Sequence, residues 1–424
     1  MKLLLRKAIV ISPGSPHHLK EKDLLIDGKS IAQVGDPGKL SSEGCEVIQQ
    51  ENLHVSTGWF DLHANLGEPG FETRETIETG SAAARQGGYT GVLIMPTTNP
   101  PVTGRTGVEY ILHKAKNSIV TVHVAGSISE NMEGKELSEM YDMHLAGARV
   151  FTDDKKPVQD SGLMMRALLY SSSFGGRIFS FAEDDTLVGK GIVHEGEHAL
   201  ALGLKGIPSV AEEIMITRDL ALAEYADSPI HFSTISSRRS VELIRNAKSK
   251  GQKITADVSA AHLLLDDSVL QGFNSVYKVK PPFRSSDDRK ALIEGLKDGT
   301  IDCICSDHMP LETENKKKEF FLADYGAAGL ETAFAVARTA TKGVLSVPEL
   351  ISKFTIHSRL CAGLSSMMIA EGQDAELTLF DPDAAWKVSQ DYLKSKSDNN
   401  PFLGQMLTGK PLAIINQGKI EYCK

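Results

Sequence analysis

Two side chains that could bind a metal ion or a substrate lie two residues apart in the first quarter of the chain. His63 and Asn65 follow the apolar run WFDL, and residues two apart on a strand point the same way. Two histidines at this spacing would form a metal clamp, but a carboxamide is a poor ligand for a metal such as zinc. The segment therefore predicts one good metal ligand and one weak one.

Adjacent carboxylates follow a second apolar run. Asp153 and Asp154 come directly after ARVFT, and a carboxylate at such a place could bridge two metal ions. Aspartate is also common in turns and at helix N-caps, which is the plainer interpretation of the pair. The residues alone leave both interpretations open.

Two more candidates lie further along the chain. His231 lies in the apolar run PIHF, and Asp307 and His308 follow DCICS. A single histidine in an apolar strand is more often a hydrogen-bonded core residue than a ligand. All of these candidates, however, fall at or near the ends of predicted strands, and that shared placement favours a common site.

The elements that must position these residues alternate between short apolar runs and longer helical patterns over residues 56–364. Seven or eight such units predict a (β/α)8 TIM barrel, in which the carboxyl ends of the strands carry the active site. The flanking residues 1–55 and 365–424 are rich in short strands. We expect the two chain ends to meet in one small β-sandwich domain. Residues 309–328 contain a lysine run, Lys316 to Lys318, and predict a mobile, solvated loop.

Composition excludes several classes of partner. The 424 residues carry a formal net charge of −9, which argues against nucleic acid or an anionic membrane as the main partner. There is no apolar stretch long enough for a membrane span. The five scattered cysteines favour a reducing, cytoplasmic location over a disulfide framework.

Taken together, the quoted stretches resemble the long-chain dihydroorotase family of the amidohydrolase superfamily. GWFDLHANLGEPG is similar to the family pattern G-F-x-D-x-H-x-H-x-R-E-P-G, and FTDDKKPV is similar to F-[ST]-D-D-G-x-P-V. SFAEDDTLVGKGIVHEG, YKVKPPFR, DGTIDCICSDHMP and DAELTLFD follow in family order. The resemblance implies a barrel with a β-sandwich, and zinc-dependent hydrolysis of the cyclic amide of dihydroorotate in pyrimidine biosynthesis.

Carried over residue by residue, the resemblance implies an incomplete metal site. Asp307 takes the place of the family's catalytic aspartate, which also binds metal. Two family ligand positions are lost, because Asn65 and Phe181 stand where histidines are expected. The implied zinc binding is therefore weak, partial or absent. The metal ligands that remain are His63, Asp154, His231 and Asp307.

The resemblance implies even larger losses among the substrate contacts. The arginine that would grip the substrate carboxylate is Gly67 in this chain. The positions still expected to contact substrate are Thr97, Lys280 and His308, of which Thr97 and Lys280 replace asparagines.

These departures support three hypotheses, of which we favour the first. The chain is a non-catalytic dihydroorotase homologue that acts as a structural partner, with aspartate transcarbamoylase as the partner that the resemblance implies. Alternatively, it is an active dihydroorotase with one zinc ion at His63, Asp154 and Asp307. A third hypothesis is a hydantoinase-like or allantoinase-like hydrolase with a pocket shaped by Lys280 and Thr97. Family analogy also implies a homodimer or a larger assembly.

Overall fold

The computed structural model describes residues 2–424. The first part of the chain forms five strands. β1 pairs antiparallel with β2, which turns into β3 through Gly28, whose φ of 61° lies in the left-handed region that glycine adopts freely. The five are β1 (Lys2–Ile11), β2 (Glu21–Asp27), β3 (Ser30–Gly35), β4 (Glu46–Ile48) and β5 (His54–Thr57).

The next strands form a parallel barrel with buried residues throughout most of their length. Near-continuous apolar runs suit strands that are covered on both faces. The chain passes into the barrel between β5 and β6, and eight of the following strands make up the barrel, in the order β6-β7-β8-β9-β10-β13-β14-β15. The strands are β6 (Trp59–Ala64), β7 (Tyr89–Ile94), β8 (Thr121–Gly126), β9 (Val150–Phe151), β10 (Arg177–Ser180), β11 (Val193–His194), β12 (Gly206–Ile207), β13 (Ile230–Phe232), β14 (Ile254–Ser259) and β15 (Cys303–Cys305).

Backbone hydrogen bonds close the barrel where its last strand meets its first. The His308 amide donates to the His63 carbonyl at 3.1 Å, and the Asn65 amide donates to the His308 carbonyl at 2.8 Å. β11 and β12 pair with each other outside the barrel. The closure joins two of the segments that were predicted to carry the site.

Helices connect the barrel strands and cover the outside of the barrel. Capping boxes at Thr76, Ser285 and Ser346 fix the starts of α1, α10 and α13, because each side chain satisfies free backbone amides. The helices are α1 (Ile77–Gln86), α2 (Arg105–Lys114), α3 (Met140–Leu145), α4 (Ser161–Ser172), α5 (Asp185–Val188), α6 (Glu197–Leu202), α7 (Val210–Tyr225), α8 (Arg238–Ser249), α9 (Ala260–Leu264), α10 (Ser286–Asp298), α11 (Thr313–Lys316), α12 (Ala333–Thr341), α13 (Val347–Phe354) and α14 (Ile356–Cys361).

The last strands return to the sheet that the first strands began. β16 (Leu377–Lys387), β17 (Met406–Asn416) and β18 (Lys419–Tyr422) give the sheet order β18-β17-β16-β5-β1-β2-β3, with β4 beside β1. This sheet has its own apolar core, separate from the barrel core, to which both chain ends contribute. The predicted fold class, a TIM barrel with a small β-domain built from both ends, is confirmed. Within residues 2–424, no helix is long and apolar enough to cross a membrane.

The expectation that the lysine run is solvated is wrong for Lys316. Its side chain is buried, and its ammonium donates to the carbonyls of Lys278 at 2.8 Å and Asp324 at 3.0 Å. Lys317, by contrast, is exposed. A lysine can be buried when its head satisfies carbonyls that would otherwise lack donors.

Candidate functional site

The two adjacent aspartates after β9 have separate roles. Asp153 accepts hydrogen bonds from the amides of Ile128 at 2.8 Å and Ser129 at 3.0 Å, so it holds the loop after β8. Asp154 faces the barrel mouth, where it accepts a hydrogen bond from Nε2 of His63 at 2.7 Å. Of the two carboxylates that the sequence left open, Asp154 lies beside His63.

A carboxylate from the last barrel strand joins this pair. Asp307 Oδ1 lies 3.7 Å from Nε2 of His63, and Thr97 donates its hydroxyl to the other oxygen of Asp154 at 2.5 Å. The structure thus brings four of the predicted site residues together. These four are His63, Asp154, Asp307 and Thr97. We call the first three, together with Lys155, the acid cluster.

Lys155, which the sequence did not single out, is the cation of the acid cluster. Its ammonium lies 2.7 Å from Asp307 Oδ1 and donates to the hydroxyl of Thr234 at 3.0 Å. It also lies 5.0 Å from the ring centroid of Phe181, within the range of a cation–π contact. A signal was present in the sequence, because Lys155 replaces the glycine of the family pattern directly after Asp154.

Charge pairing, rather than exposure to water, sets the protonation of the acid cluster. Burial alone would raise the pKa of Asp154, but His63 and Lys155 outweigh it and hold the pKa at about 2. Burial would likewise lower the pKa of Lys155, but Asp307 and Asp154 raise it above the usual lysine value. The lysine therefore stays an ammonium at neutral pH.

His231 lies inside the barrel but is bonded to other partners. Its Nε2 donates to Asp257 Oδ2 at 2.9 Å, its Nδ1 lies 2.8 Å from the Thr255 hydroxyl, and its ring stacks on Phe179 with centroids 4.0 Å apart. Both ring nitrogens are engaged by the protein. Its role as a metal ligand stays a prediction that this geometry does not favour.

A cavity of about 270 Å³ opens above the acid cluster at the barrel mouth. Lys280 and Thr97, both predicted to contact substrate, lie in its wall. Lys280 is paired with Glu183 at 2.6 Å, so its charge is already compensated. The carboxamide of Asn65 also faces the cavity, and neither of its polar atoms has a hydrogen-bond partner in the described chain. Both atoms are buried, so the carboxamide is an unpaired donor and acceptor within the cavity wall.

Two further positions of the family's substrate contacts are Gly67, where the arginine is lost, and His308, which keeps the family residue. A Cβ at Gly67 would lie 2.7 Å from the carbonyl oxygen of Phe71, and its φ is 67°, so this backbone has no room for an arginine. His308 is fully buried; its Nδ1 accepts from the Gly329 amide at 3.1 Å, and its Nε2 lies 3.5 Å from Glu75. His308 does not line the cavity, and its substrate role stays a prediction.

The residues at the barrel mouth do not fit a zinc ion. Among residues 2–424, no group of three or more His, Cys, Asp or Glu side chains has an arrangement that could hold a metal ion. Asn65 supplies a poor ligand, the ring of Phe181 supplies none, and the Lys155 ammonium forms an ion pair with Asp307.

Comparison with known proteins agrees with the family resemblance and with the fold. Residues 54–240 match the Dihydro-orotase-like family. The dihydroorotase of Ruminiclostridium cellulolyticum is 41% identical over 99% of this chain and 98% of its own length. The chain belongs to the dihydroorotase family. The dihydroorotase of Pelotomaculum thermopropionicum is also 41% identical, with the same coverage of both chains. Membership places the chain among the cyclic amide hydrolases.

Solved structures show the same architecture in more distant proteins. The L-hydantoinase of Arthrobacter aurescens superposes with a TM-score of 0.84 over 99% of this chain and 95% of its own, at 24% identity. The dihydropyrimidinase of Brevibacillus agri gives a TM-score of 0.81 at 22% identity, with the same coverage of both chains. At these identities the likeness supports the fold and carries no statement about substrate.

Proposed function

We propose that this chain is a dihydroorotase homologue without zinc-dependent dihydroorotase activity, and that it serves as a structural partner of aspartate transcarbamoylase. The observation that carries the first half is the ion pair between Lys155 and Asp307 at 2.7 Å. Asp307 stands at the family's catalytic position, and its carboxylate is engaged by an ammonium. An engaged carboxylate is a poor metal ligand and a poor base.

The substrate side of the site supports the same proposal. No arginine fits at Gly67, so the bidentate grip on a substrate carboxylate is missing. Charge-assisted hydrogen bonds of that kind contribute roughly 1.5–3 kcal/mol each. The remaining cations that line the cavity, Lys155, Lys280 and Arg74, are paired with Asp307, Glu183 and Glu312. A dihydroorotate anion would have to compete with those carboxylates.

The partner is proposed from the family resemblance alone. The barrel and the small β-domain each have an apolar core. The fold is therefore kept although the metal and substrate contacts of the family are lost. A homologue with an intact exterior and a degraded site is suited to an assembly role, and a homo-oligomer is proposed on the same basis.

One experiment tests activity, and a second tests the partner. Purified protein is analysed for zinc, reconstituted with zinc, and assayed for dihydroorotate turnover beside Asp307→Ala. We expect no turnover above that variant. Turnover that Asp307→Ala abolishes would overturn the proposal. Aspartate transcarbamoylase from the same organism is then mixed with the chain, and a complex in size-exclusion chromatography with light scattering is expected. Independent elution would remove the partner role.

A second function is favoured by one observation, the unpaired carboxamide of Asn65 in a formed cavity. A carboxamide with a free donor and acceptor can pair with the N–H and C=O of a neutral cyclic amide. The chain would then be a hydantoinase-like hydrolase. Calorimetric titration with hydantoin tests this, and binding that Asn65→Ala removes would favour it over the structural role. Absence of binding to the wild type would dismiss it.

A further inference from the structure

The ammonium of Lys155 lies among side chains that come from different barrel strands. Asp307 follows β15 and lies 2.7 Å away, Thr234 follows β13 and lies 3.0 Å away, and the Phe181 ring follows β10. Asp154, the residue before the lysine, faces His63. The lysine side chain is 10% exposed. A single positive charge is thus enclosed at the centre of the barrel mouth.

We propose that the Lys155 ammonium is a covalently attached replacement for a metal cation, and that it closes a metal site whose His63, Asp154 and Asp307 ligands are otherwise retained. The inference rests on the proposed function and deepens it. It states what holds the site together in place of a metal. It also predicts that removing one side chain restores metal affinity.

The need for a cation follows from the buried carboxylates. Asp154 and Asp307 both lie near Nε2 of His63, at 2.7 Å and 3.7 Å. Two carboxylates in one buried space repel each other unless a positive charge lies between or beside them. A divalent ion can provide that charge, and so can an ammonium that lies 2.7 Å from one of the carboxylates. The structure contains the second arrangement.

The aromatic residue at position 181 is matched to the ammonium. A histidine there would offer a nitrogen lone pair, which a metal binds and an ammonium does not need. The Phe181 ring instead presents its electron-rich face to the Lys155 ammonium at 5.0 Å and to the Lys280 ammonium at 5.7 Å. The Phe181 ring is therefore a suitable neighbour for the Lys155 ammonium, and both side chains disfavour the binding of a metal ion.

The backbone indicates that this arrangement is held under constraint. Asp154, Thr234 and Asp307 have φ values of 52°, 51° and 50°, in the left-handed region that side chains other than glycine rarely adopt. Such strained backbone conformations persist when surrounding contacts enforce them, and they are most frequent at ligand sites. Here two of the three strained residues contact the ammonium, and the third precedes the lysine.

The test compares Lys155→Gly and Lys155→Met with wild type and with Lys156→Gly, a matched change at the exposed neighbouring lysine. Each protein is stripped of metal, incubated with zinc ions, dialysed and analysed for zinc, and its thermal midpoint is measured with and without zinc. We expect metal-free Lys155→Gly and Lys155→Met to unfold several degrees below wild type. Lys155→Gly should retain about one zinc ion per chain, as a three-ligand site would, and zinc should raise its midpoint. Wild type and Lys156→Gly should show neither effect.

A double variant keeps the test decisive if Lys155→Gly does not fold. Lys155→Met leaves Asp307 without its cation, so adding Asp307→Asn should recover part of the lost midpoint. A purely structural role of the lysine stem predicts no such rescue. Stoichiometric zinc in wild type, an unchanged midpoint in Lys155→Met, or no rescue by Asp307→Asn would each overturn the inference. Independent elution of the chain and aspartate transcarbamoylase would instead overturn the partner half of the proposed function and leave this inference standing.

Discussion

The pair formed by His231 and Asp257 gives a prediction that separates a core histidine from a metal ligand. Burial would lower the pKa of His231, but the hydrogen bonds to Asp257 and Cys361 outweigh it and raise the pKa from 6.5 to about 9. At about 1.36 kcal/mol per pKa unit, the shift corresponds to roughly 3 kcal/mol of stability. A histidine that binds metal is neutral and would show no such shift.

The sign of the effect follows from proton binding. Below pH 6.5 both the folded and the unfolded chain carry the His231 proton, and the full contribution is present. Between pH 6.5 and about 9 only the folded chain keeps it, so the free energy of unfolding falls as pH rises. Above about 9 the contribution is lost. Because Cys361 contributes part of the shift, we expect Asp257→Asn to cost up to roughly 3 kcal/mol at pH 6 and much less at pH 9.5.

Urea unfolding at pH steps from 6 to 9.5 measures this difference. Asp227→Asn is the matched control, because Asp227 is 88% exposed and pairs with a surface lysine. Its pH profile should parallel that of wild type. If Asp257→Asn also parallels wild type, His231 is neutral in the folded protein, and the ion-pair reasoning is refuted in favour of a ligand role.

Two further predictions concern the segments around the barrel mouth. Lys316→Ala should increase chymotrypsin cleavage after the exposed Phe321. The substitution removes the ammonium that donates hydrogen bonds to the carbonyls of Lys278 and Asp324. Limited proteolysis followed by mass spectrometry measures the cleavage rate. Gly329→Ala should destabilise the protein by roughly 1–3 kcal/mol in urea unfolding, because its Cβ would lie 2.3 Å from a backbone carbonyl oxygen.

Each of these changes has a control in the same chain. Lys317→Ala alters an exposed lysine and should leave cleavage unchanged, whereas equal acceleration by both variants would contradict the role given to Lys316. Gly272→Ala places a Cβ in open space and should change stability little. A cost at Gly272 equal to that at Gly329 would contradict the close-contact argument.

The barrel could be predicted from the sequence because its strands are short, apolar and regularly spaced. The strands expected from the runs ARVFT, PIHF and DCICS are present as β9, β13 and β15, each shorter than its run. The position of Asp154 at a strand end was likewise readable. Which of the two adjacent aspartates faces the mouth depends on the local backbone, and the sequence does not record it.

Charged residues that are buried were the main source of error. Lysines next to other charged residues are usually solvated, so Lys155 was passed over and Lys316 was expected in water. Groups distant in sequence hold both lysines away from water. Lys155 forms an ion pair with Asp307, and Lys316 donates hydrogen bonds to the carbonyls of Lys278 and Asp324. The expectation that His308 contacts substrate stays a prediction; its Nδ1 accepts a hydrogen bond from the Gly329 amide.

The pairing of β5 with β16 constrains the order in which this chain can fold. Thr57 lies opposite Leu377, so the sheet joins segments from the two ends of the chain. During synthesis, β5 emerges long before its partner, and one of its edges stays without a strand until the barrel has been made. Contacts between segments so distant in sequence form slowly. The barrel is therefore expected to fold first, and the sheet to close only when β16 arrives.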